Sequence, residues 1–193
     1  MNHSYHFLTR WRVAATAEEV YEILSRPLEY PRWWPSVYLA VREVAPNRVR
    51  LHTTGWLPYT LRWEALRTEA LRSNLLEIRV SGDFEGRGIW SIIEDGEFTD
   101  ITFDWRVTVR KPLLCYLSLA LRPALEANHR WAMEQGRASL ELELARGRAG
   151  TVEQMNSIAP APGPHEFPMR QVWAGAALSL LLMAGLAHGT LEG

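Results

Sequence analysis

The chain contains a single cysteine, Cys115, among its 193 residues. One cysteine excludes an intramolecular disulfide and any metal site that needs several cysteines. Because Cys115 lies within an apolar run, residues 113–117, the sequence indicates a small core residue at this position.

Positive charge is not in excess, and it is not clustered. The formal net charge is −1, arginine supplies nearly all of the positive side, and no basic block alternates with aromatic residues. A nucleic-acid surface needs such a block to neutralise phosphates, so nucleic acid is not expected as a partner. The first eleven residues also lack a basic cluster followed by an apolar run, which predicts a cytoplasmic domain without a secretory signal.

The motifs of well-defined enzyme classes are missing as well. The sequence has no Ser/His/Asp order, no glycine-rich phosphate loop and no pair of histidines at metal-ligand spacing. Neither a cofactor nor a metal is therefore indicated.

What the sequence does have is tryptophan, with nine copies. Indole buries a large area wherever it packs, so one interpretation is that these tryptophans fill the hydrophobic core. Aromatic walls are also usual in ligand cavities, and that interpretation stays open beside the first.

The first thirty-five residues predict a strand, a helix and a bend. Residues 5–13 alternate with a period of two, as a half-buried strand does. Thr16 followed by Glu19 forms a capping box for a helix that ends before Pro27. The proline-punctuated stretch after it carries Trp33 and Trp34 and leaves room for one short second helix.

From residue 38 to residue 110 the pattern is that of successive strands separated by turns, and it is clearest at residues 101–110. Gly86 and Gly88 indicate either a bulge or a close approach by a ligand or a helix. A sheet this long, with helices only at its ends, is expected to curl and to be closed by the last helix. The positions expected to face inward are Trp11, Trp63, Trp90, Phe103 and Trp105.

The rest of the domain is predicted to be helical. Residues 113–121 are apolar nearly all round, and Pro123 suits the first turn of a new helix that runs to about residue 146. Leu125, His129 and Ala132 lie on its inner face. Gly136 is placed mid-helix, where close packing across the sheet is the expected cause.

This order of elements resembles the helix-grip fold of the START-related superfamily, which includes polyketide cyclases and dehydratases, lipid-transfer domains and birch-pollen allergens. The segments that resemble its bacterial polyketide-cyclase-like members are residues 17–21, 30–35 and 128–133. The resemblance implies an α+β domain over residues 1–146. In it, a curved seven-stranded antiparallel sheet wraps a long C-terminal helix, with two short helices after the first strand.

The resemblance further implies a cavity between the sheet and the last helix that takes a hydrophobic small molecule such as a lipid, quinone or polyketide. The candidate ligand-binding residues are Trp11, Trp33, Trp34, Trp63, Trp90, Phe103, Trp105, Leu125, Asn128 and Ala132. Trp33 and Trp34 act either as a plug of the core or as a gate over the cavity. The alternative function is a polyketide cyclase/dehydratase in which His129 is the catalytic acid or base, since an imidazole titrates near neutral pH.

The C-terminal part predicts two further units. Residues 147–170 are rich in Gly, Ala and Pro, which predicts a linker. Residues 171–191 carry no formal charge with His188 neutral, and as a helix they would span about 30 Å, the thickness of a bilayer core. A C-terminal membrane anchor is expected, with a helix docked on the domain or on a second subunit, or an unstructured end, as alternatives. The oligomeric state stays open.

Overall fold

Seven strands form one antiparallel sheet in the order β1-β7-β6-β5-β4-β3-β2. The computed structural model describes residues 4–110 and 112–165. The elements in chain order are β1 (Ser4–Val13), α1 (Ala17–Leu24), a 3-10 helix (Pro27–Glu29), α2 (Tyr30–Trp33), β2 (Tyr38–Ala45), β3 (Arg48–Thr54), β4 (Thr60–Leu71), β5 (Leu75–Gly82), β6 (Phe84–Asp95), β7 (Phe98–Val109), α3 (Pro112–Arg148) and α4 (Val152–Ser157). The predicted α+β helix-grip architecture is confirmed.

The alternation of apolar and polar residues decides which face of the sheet is buried. In β7, Phe103 and Trp105 are buried and face the core, whereas Arg106 is exposed. The β6–β7 register places Trp90 directly opposite Phe103. Since a shift of one residue would turn every one of these rings to solvent, the apolar pattern and the register fix each other.

The two glycines of β6 permit a close approach by the neighbouring strand. Pairing of β6 with both β5 and β7 continues through Gly86 and Gly88 without a bulge. A Cβ atom at Gly88 would lie 2.7 Å from the ring of Trp105 and 2.9 Å from that of Phe103. At Gly88 the space is therefore filled by two aromatic rings, whereas a Cβ atom at Gly86 would lie 2.0 Å from the backbone carbonyl oxygen of Arg106. Neither position is approached by a helix or forms a bulge.

Helix α1 begins where the sequence predicted. The Thr16 side chain accepts from the backbone N–H of Glu19, and the Glu19 carboxylate accepts from the backbone N–H of Thr16. These two bonds satisfy N–H groups that a helix start otherwise leaves unpaired. The 3-10 helix and the single-turn α2 then fill the proline-punctuated stretch.

Helix α3 corrects two expectations. It runs from Pro112 to Arg148 without a break, so Pro123 lies inside the helix and does not start it. A proline there removes one backbone hydrogen bond, and the bonds of the turns on either side can keep the helix continuous. Gly136 packs against the indole of Trp34, not across the sheet.

After α3 the chain forms α4, which the sequence analysis did not predict, and then an irregular segment up to His165. Thr151 caps α4 by accepting from the N–H of Gln154. None of the helices in residues 4–110 and 112–165 combines the length and hydropathy needed to cross a bilayer. The predicted anchor, residues 171–191, and the end of the predicted linker lie outside the described residues.

Candidate ligand-binding cavity

A cavity of about 610 Å³ lies between the sheet and α3. Side chains from all seven strands contribute to its lining, together with the segment from Ser25 to Tyr30 and the inner face of α3. Because one cavity is bordered by every strand and by α3, the sheet must curve around the helix.

Five aromatic side chains from β4, β6 and β7 form one wall of the cavity. They are Trp63, Phe84, Trp90, Phe103 and Trp105. The rings of Trp90 and Phe103 are stacked with centroids 4.1 Å apart, and Phe103 and Trp105 follow at 5.2 Å. Trp63 meets Trp105 edge-on at 5.9 Å. The wall is thus a continuous aromatic surface.

The polar atom of Trp63 is satisfied within the protein. Its Nε1–H donates to Thr53 Oγ1 across 3.0 Å, and both residues are buried. A buried indole N–H without such a partner would cost about 1 to 3 kcal/mol. Thr53 therefore lets Trp63 present an apolar face to the cavity.

On the opposite side, α3 contributes Leu125, Asn128, His129 and Ala132. Asn128 has a structural contact, because its Oδ1 accepts from the backbone N–H of Leu57 at 3.1 Å. The same amide touches Gly55, where a Cβ atom would lie 2.2 Å from Asn128 Oδ1. Asn128 thereby holds the β3–β4 loop at the edge of the cavity.

His129 lies in an apolar environment. Its ring stacks on Phe7 with centroids 4.1 Å apart, and its Nε2 lies 3.4 Å from Thr9 Oγ1. Burial lowers the pKa of His129 to about 4, since removing the imidazolium from water penalises the charged form. The side chain is therefore neutral at pH 7.

Polar groups that the sequence analysis missed lie elsewhere in the lining. Arg67 donates through Nη2 to the carbonyl oxygen of Ser25 at 2.6 Å, and no carboxylate of the described residues lies within ion-pair distance of it. Tyr30, Tyr38 and Tyr59 also border the cavity. Burial raises the pKa of all three hydroxyls, that of Tyr59 to about 12, so they stay protonated.

The signal for Arg67 was present in the sequence. Along β4, Leu61, Trp63, Ala65 and Arg67 share one parity, and all four line the cavity. Arg62, on the opposite face of the same strand, is exposed.

Nine of the eleven candidate residues border the cavity: Trp34, Trp63, Trp90, Phe103, Trp105, Leu125, Asn128, His129 and Ala132. Trp11 and Trp33 are buried but do not border it. Trp11 packs behind the lining, with ring centroids 5.2 Å from Trp90 and 5.9 Å from Trp34. The alternation along a strand identifies which residues point inward, but it does not tell whether an inward residue borders the cavity or packs behind the lining, as Trp11 does.

Within the described residues, no group of three or more His, Cys, Asp or Glu side chains is placed to hold a metal ion. Besides the carboxylates of Glu29 and Glu43, the lining contains many hydrogen-bond donors, which include the guanidiniums of Arg26, Arg48 and Arg67, the phenols of Tyr5, Tyr30, Tyr38 and Tyr59, and the amides of Asn47 and Asn128. Such groups can donate hydrogen bonds to oxygen atoms of an otherwise apolar molecule.

Comparison with solved structures gives the same fold. The ZhuI aromatase/cyclase of Streptomyces sp. R1128 superposes with a TM-score of 0.62 at 20% identity, covering 77% of this chain and 98% of that one. A conserved protein from Geobacillus kaustophilus gives 0.60 at 11% identity, with 74% and 97% coverage. A START superfamily protein from Mycobacterium smegmatis gives 0.53 at 21% identity, with 67% and 94% coverage.

No curated protein matches the chain. Residues 6–145, in contrast, match a family described as polyketide cyclase/dehydrase and lipid transport. This range includes all seven strands of the sheet except the first two residues of β1, and almost the whole of α3. The chain therefore belongs to the polyketide cyclase/dehydrase and lipid transport family.

Proposed function

We propose that this protein binds an apolar small molecule in its cavity, as a carrier or sensor. The observation that carries the proposal is the five-ring aromatic wall that borders a cavity of about 610 Å³. That volume lies within the range of about 300 to 1,000 Å³ that is usual for ligand pockets. Each Å² of apolar ligand surface buried there is worth about 25 cal/mol.

The ligand also has an oxygen-bearing polar group. Arg67 is the support for this, because its guanidinium borders the cavity without a carboxylate partner among the described residues. A guanidinium in such surroundings favours a carbonyl, phenolate or carboxylate oxygen. Lipids, quinones and polyketides all combine an apolar body with oxygen atoms, so they form the ligand class we propose.

The second candidate function is a polyketide cyclase/dehydratase, and the family of the chain favours it. His129 is the candidate acid or base, but burial lowers its pKa to about 4. A group with that pKa is a weak base at pH 7 and holds almost no proton to give. The lowered pKa of His129 therefore favours binding over acid–base catalysis as the function of the cavity.

The binding proposal is tested with a fluorescent apolar anion, 8-anilinonaphthalene-1-sulfonate, and with variants that fill the cavity. Ala65→Phe adds a ring at a buried lining position, and Ala70→Phe adds the same ring at an exposed position of the same strand. We expect Ala65→Phe to weaken probe binding at least tenfold and Ala70→Phe to leave it unchanged. Ala132→Leu fills the cavity from α3 and serves if Ala65→Phe does not fold.

Equal probe affinity in the wild type and in both cavity-filling variants would contradict the proposal. If the cavity-filling variants do weaken probe binding, mass spectrometry of molecules that copurify with the full chain identifies the natural ligand. Lipid or quinone in near-stoichiometric amount supports a carrier.

The two functions are separated by His129→Ala. A cyclase would lose turnover of a poly-β-ketone substrate while keeping probe affinity. Wild-type protein that binds the probe but converts no such substrate is a carrier or sensor.

We also propose that residues 171–191 anchor the chain to a membrane, close to the source of an apolar ligand. The support is the sequence alone: the segment lacks formal charge, and Arg146, Arg148 and Arg170 precede it. Flotation of the full chain with lipid vesicles, compared with a chain ending at residue 165, tests this. Equal flotation of both would contradict it.

A further inference from the structure

The outer face of the sheet, on the side away from the cavity, brings three arginines next to one another. Arg79 of β5 lies directly opposite Arg87 of β6, and Arg87 lies directly opposite Arg106 of β7. Directly opposite residues of antiparallel strands point to the same face, with Cβ atoms about 5 Å apart. All three residues are exposed. We call Arg79, Arg87 and Arg106 the arginine row.

The arginine row is unfavourable by itself, because like charges directly opposite each other destabilise a sheet. Other arginines of the outer face pair with carboxylates, as Arg50 does with Glu64 at 2.8 Å and Arg110 does with Glu85 at 2.8 Å. Within the described part of the chain, Arg79 and Arg87 have no carboxylate at ion-pair distance. Two of the three charges in the row are therefore not compensated by the protein.

The carboxylates closest to the row do not change this. Asp104 receives hydrogen bonds from Arg106 on both of its oxygens, each at 2.9 Å, and Nε2 of His6 lies 3.1 Å from one of them. Glu77 lies opposite Ile89, and it forms no ion pair with another described residue. The two oxygens of Asp104 are thus occupied, and the row keeps guanidinium groups free to donate.

The geometry of the row favours an acceptor with more than two oxygens. One guanidinium already occupies both oxygens of a carboxylate, as Arg106 does with Asp104. A phosphate monoester carries three terminal oxygens and nearly two negative charges at pH 7, so it can accept from two adjacent guanidiniums at once. Bound phosphate also offsets the repulsion between the arginines.

We propose that Arg79 and Arg87 form a binding site for a phosphate monoester group, to which Arg106 adds charge from the third strand. The group belongs either to a lipid headgroup or to a soluble phosphate, since both present the same oxygens. The site lies on the side of the sheet opposite to the aromatic wall. It is therefore independent of the ligand proposed for the cavity.

The first test is a titration of the full chain with inorganic phosphate at constant ionic strength, with chloride as the balancing anion. The arginine Nε–H signals in NMR spectra report binding. We expect saturable shifts at Arg79 and Arg87, and Arg87→Gln or Arg79→Gln should weaken phosphate binding about fivefold. Chloride alone should cause no such shifts.

Arg10→Gln is the matched control. It removes one exposed positive charge from the same face of the sheet, but Arg10 lies opposite Thr102 and has no arginine beside it in the register. Phosphate affinity should be unchanged in this variant. Equal weakening by Arg10→Gln and Arg87→Gln would show a general charge effect and would overturn the proposed site.

The second test identifies the source of the phosphate. Wild type and Arg87→Gln are sedimented with vesicles of phosphatidylcholine alone or with added phosphatidic acid, whose headgroup is a phosphate monoester. The predicted anchor contributes to both kinds of vesicle in both proteins. If phosphatidic acid increases binding of the wild type more than that of Arg87→Gln, the source is a lipid.

If phosphatidic acid acts equally on both proteins while Arg87→Gln weakens binding of inorganic phosphate, the source is a soluble phosphate. If Arg87→Gln changes neither measurement, the arginine row is not a phosphate site and the proposal is overturned.

Discussion

Trp34 packs its indole directly onto Gly136 of α3. A Cβ atom at Gly136 would lie 2.2 Å from Cζ2 of Trp34, far inside van der Waals contact. Glycine in a helix interior costs about 1 kcal/mol relative to alanine, so the contact must offset that cost. Because Trp34 directly follows α2, its contact with Gly136 sets how closely α3 approaches the short helices. Trp34 also borders the cavity.

Gly136→Ala is expected to destabilise the fold by about 2 kcal/mol, because forcing a methyl group against a buried ring outweighs the better helix propensity. The midpoint and slope of urea unfolding measure this. Gly147→Ala is the matched control in the same helix, since nothing lies within 4 Å of a Cβ atom there. It should be neutral or slightly stabilising. Equal stability of both variants would refute the steric argument.

Thr53→Val is expected to cost about 1 to 2 kcal/mol, because it leaves the buried Nε1–H of Trp63 without an acceptor. Valine has nearly the shape of threonine, so packing changes little. Thr53→Ser keeps the acceptor and should recover most of that loss. Urea unfolding compares the three proteins, and a valine variant as stable as the wild type would count against the hydrogen bond.

The stability of the protein should fall between pH 6.5 and pH 4 because of His129. Burial lowers the pKa of His129 to about 4 in the folded state, whereas an unfolded imidazole titrates near its ordinary value of 6.5. Between these values the unfolded state binds more protons than the folded state. The free energy of unfolding is therefore highest above pH 6.5 and decreases as the pH falls toward 4. We expect a loss of about 1 to 2 kcal/mol between pH 7.5 and pH 5.

His129→Gln is the control for this dependence, since glutamine does not titrate. The difference in unfolding free energy between the two proteins should shrink as pH drops from 7.5 to 5. A constant difference over that range would show that His129 is not buried in its neutral form.

Asn128→Ala is expected to release the β3–β4 loop. It removes the acceptor of the Leu57 N–H and empties the space beside Gly55. Hydrogen exchange at the Leu57 amide should rise by about tenfold or more, the factor that corresponds to about 1.4 kcal/mol. Glu141→Ala, an exposed position of the same helix, should leave that amide unchanged. Slow exchange in both variants would show that the loop is held by other contacts.

Local chemistry made several elements predictable from the sequence. The capping box of Thr16 and Glu19 requires only residues three apart, and period-two alternation identified the inward rings of Trp63, Trp90, Phe103 and Trp105. Pro123 was misassigned because a proline is compatible both with the first turn of a helix and, at a cost, with its interior. Only the neighbouring turns of α3 distinguish the two.

The site itself depended on contacts between distant residues. Parity placed Trp11 on the inner face, yet whether it borders the cavity or lies behind it depends on where Trp34 and Trp90 pack. The neutral state of His129 follows from Phe7 and from its burial, which no local pattern encodes.

The sequence by itself determined the order of strands and helices, the buried face of each strand and the start of α1, because these follow from side-chain periodicity and from hydrogen bonds between near neighbours. Only the tertiary structure decided the volume of the cavity, the partner of Gly136, the position of the Arg67 guanidinium in the lining and the contacts of Ala159 and His165 with α3. Each of these depends on the distance between residues far apart in the chain, which curvature of the sheet and packing of α3 set together.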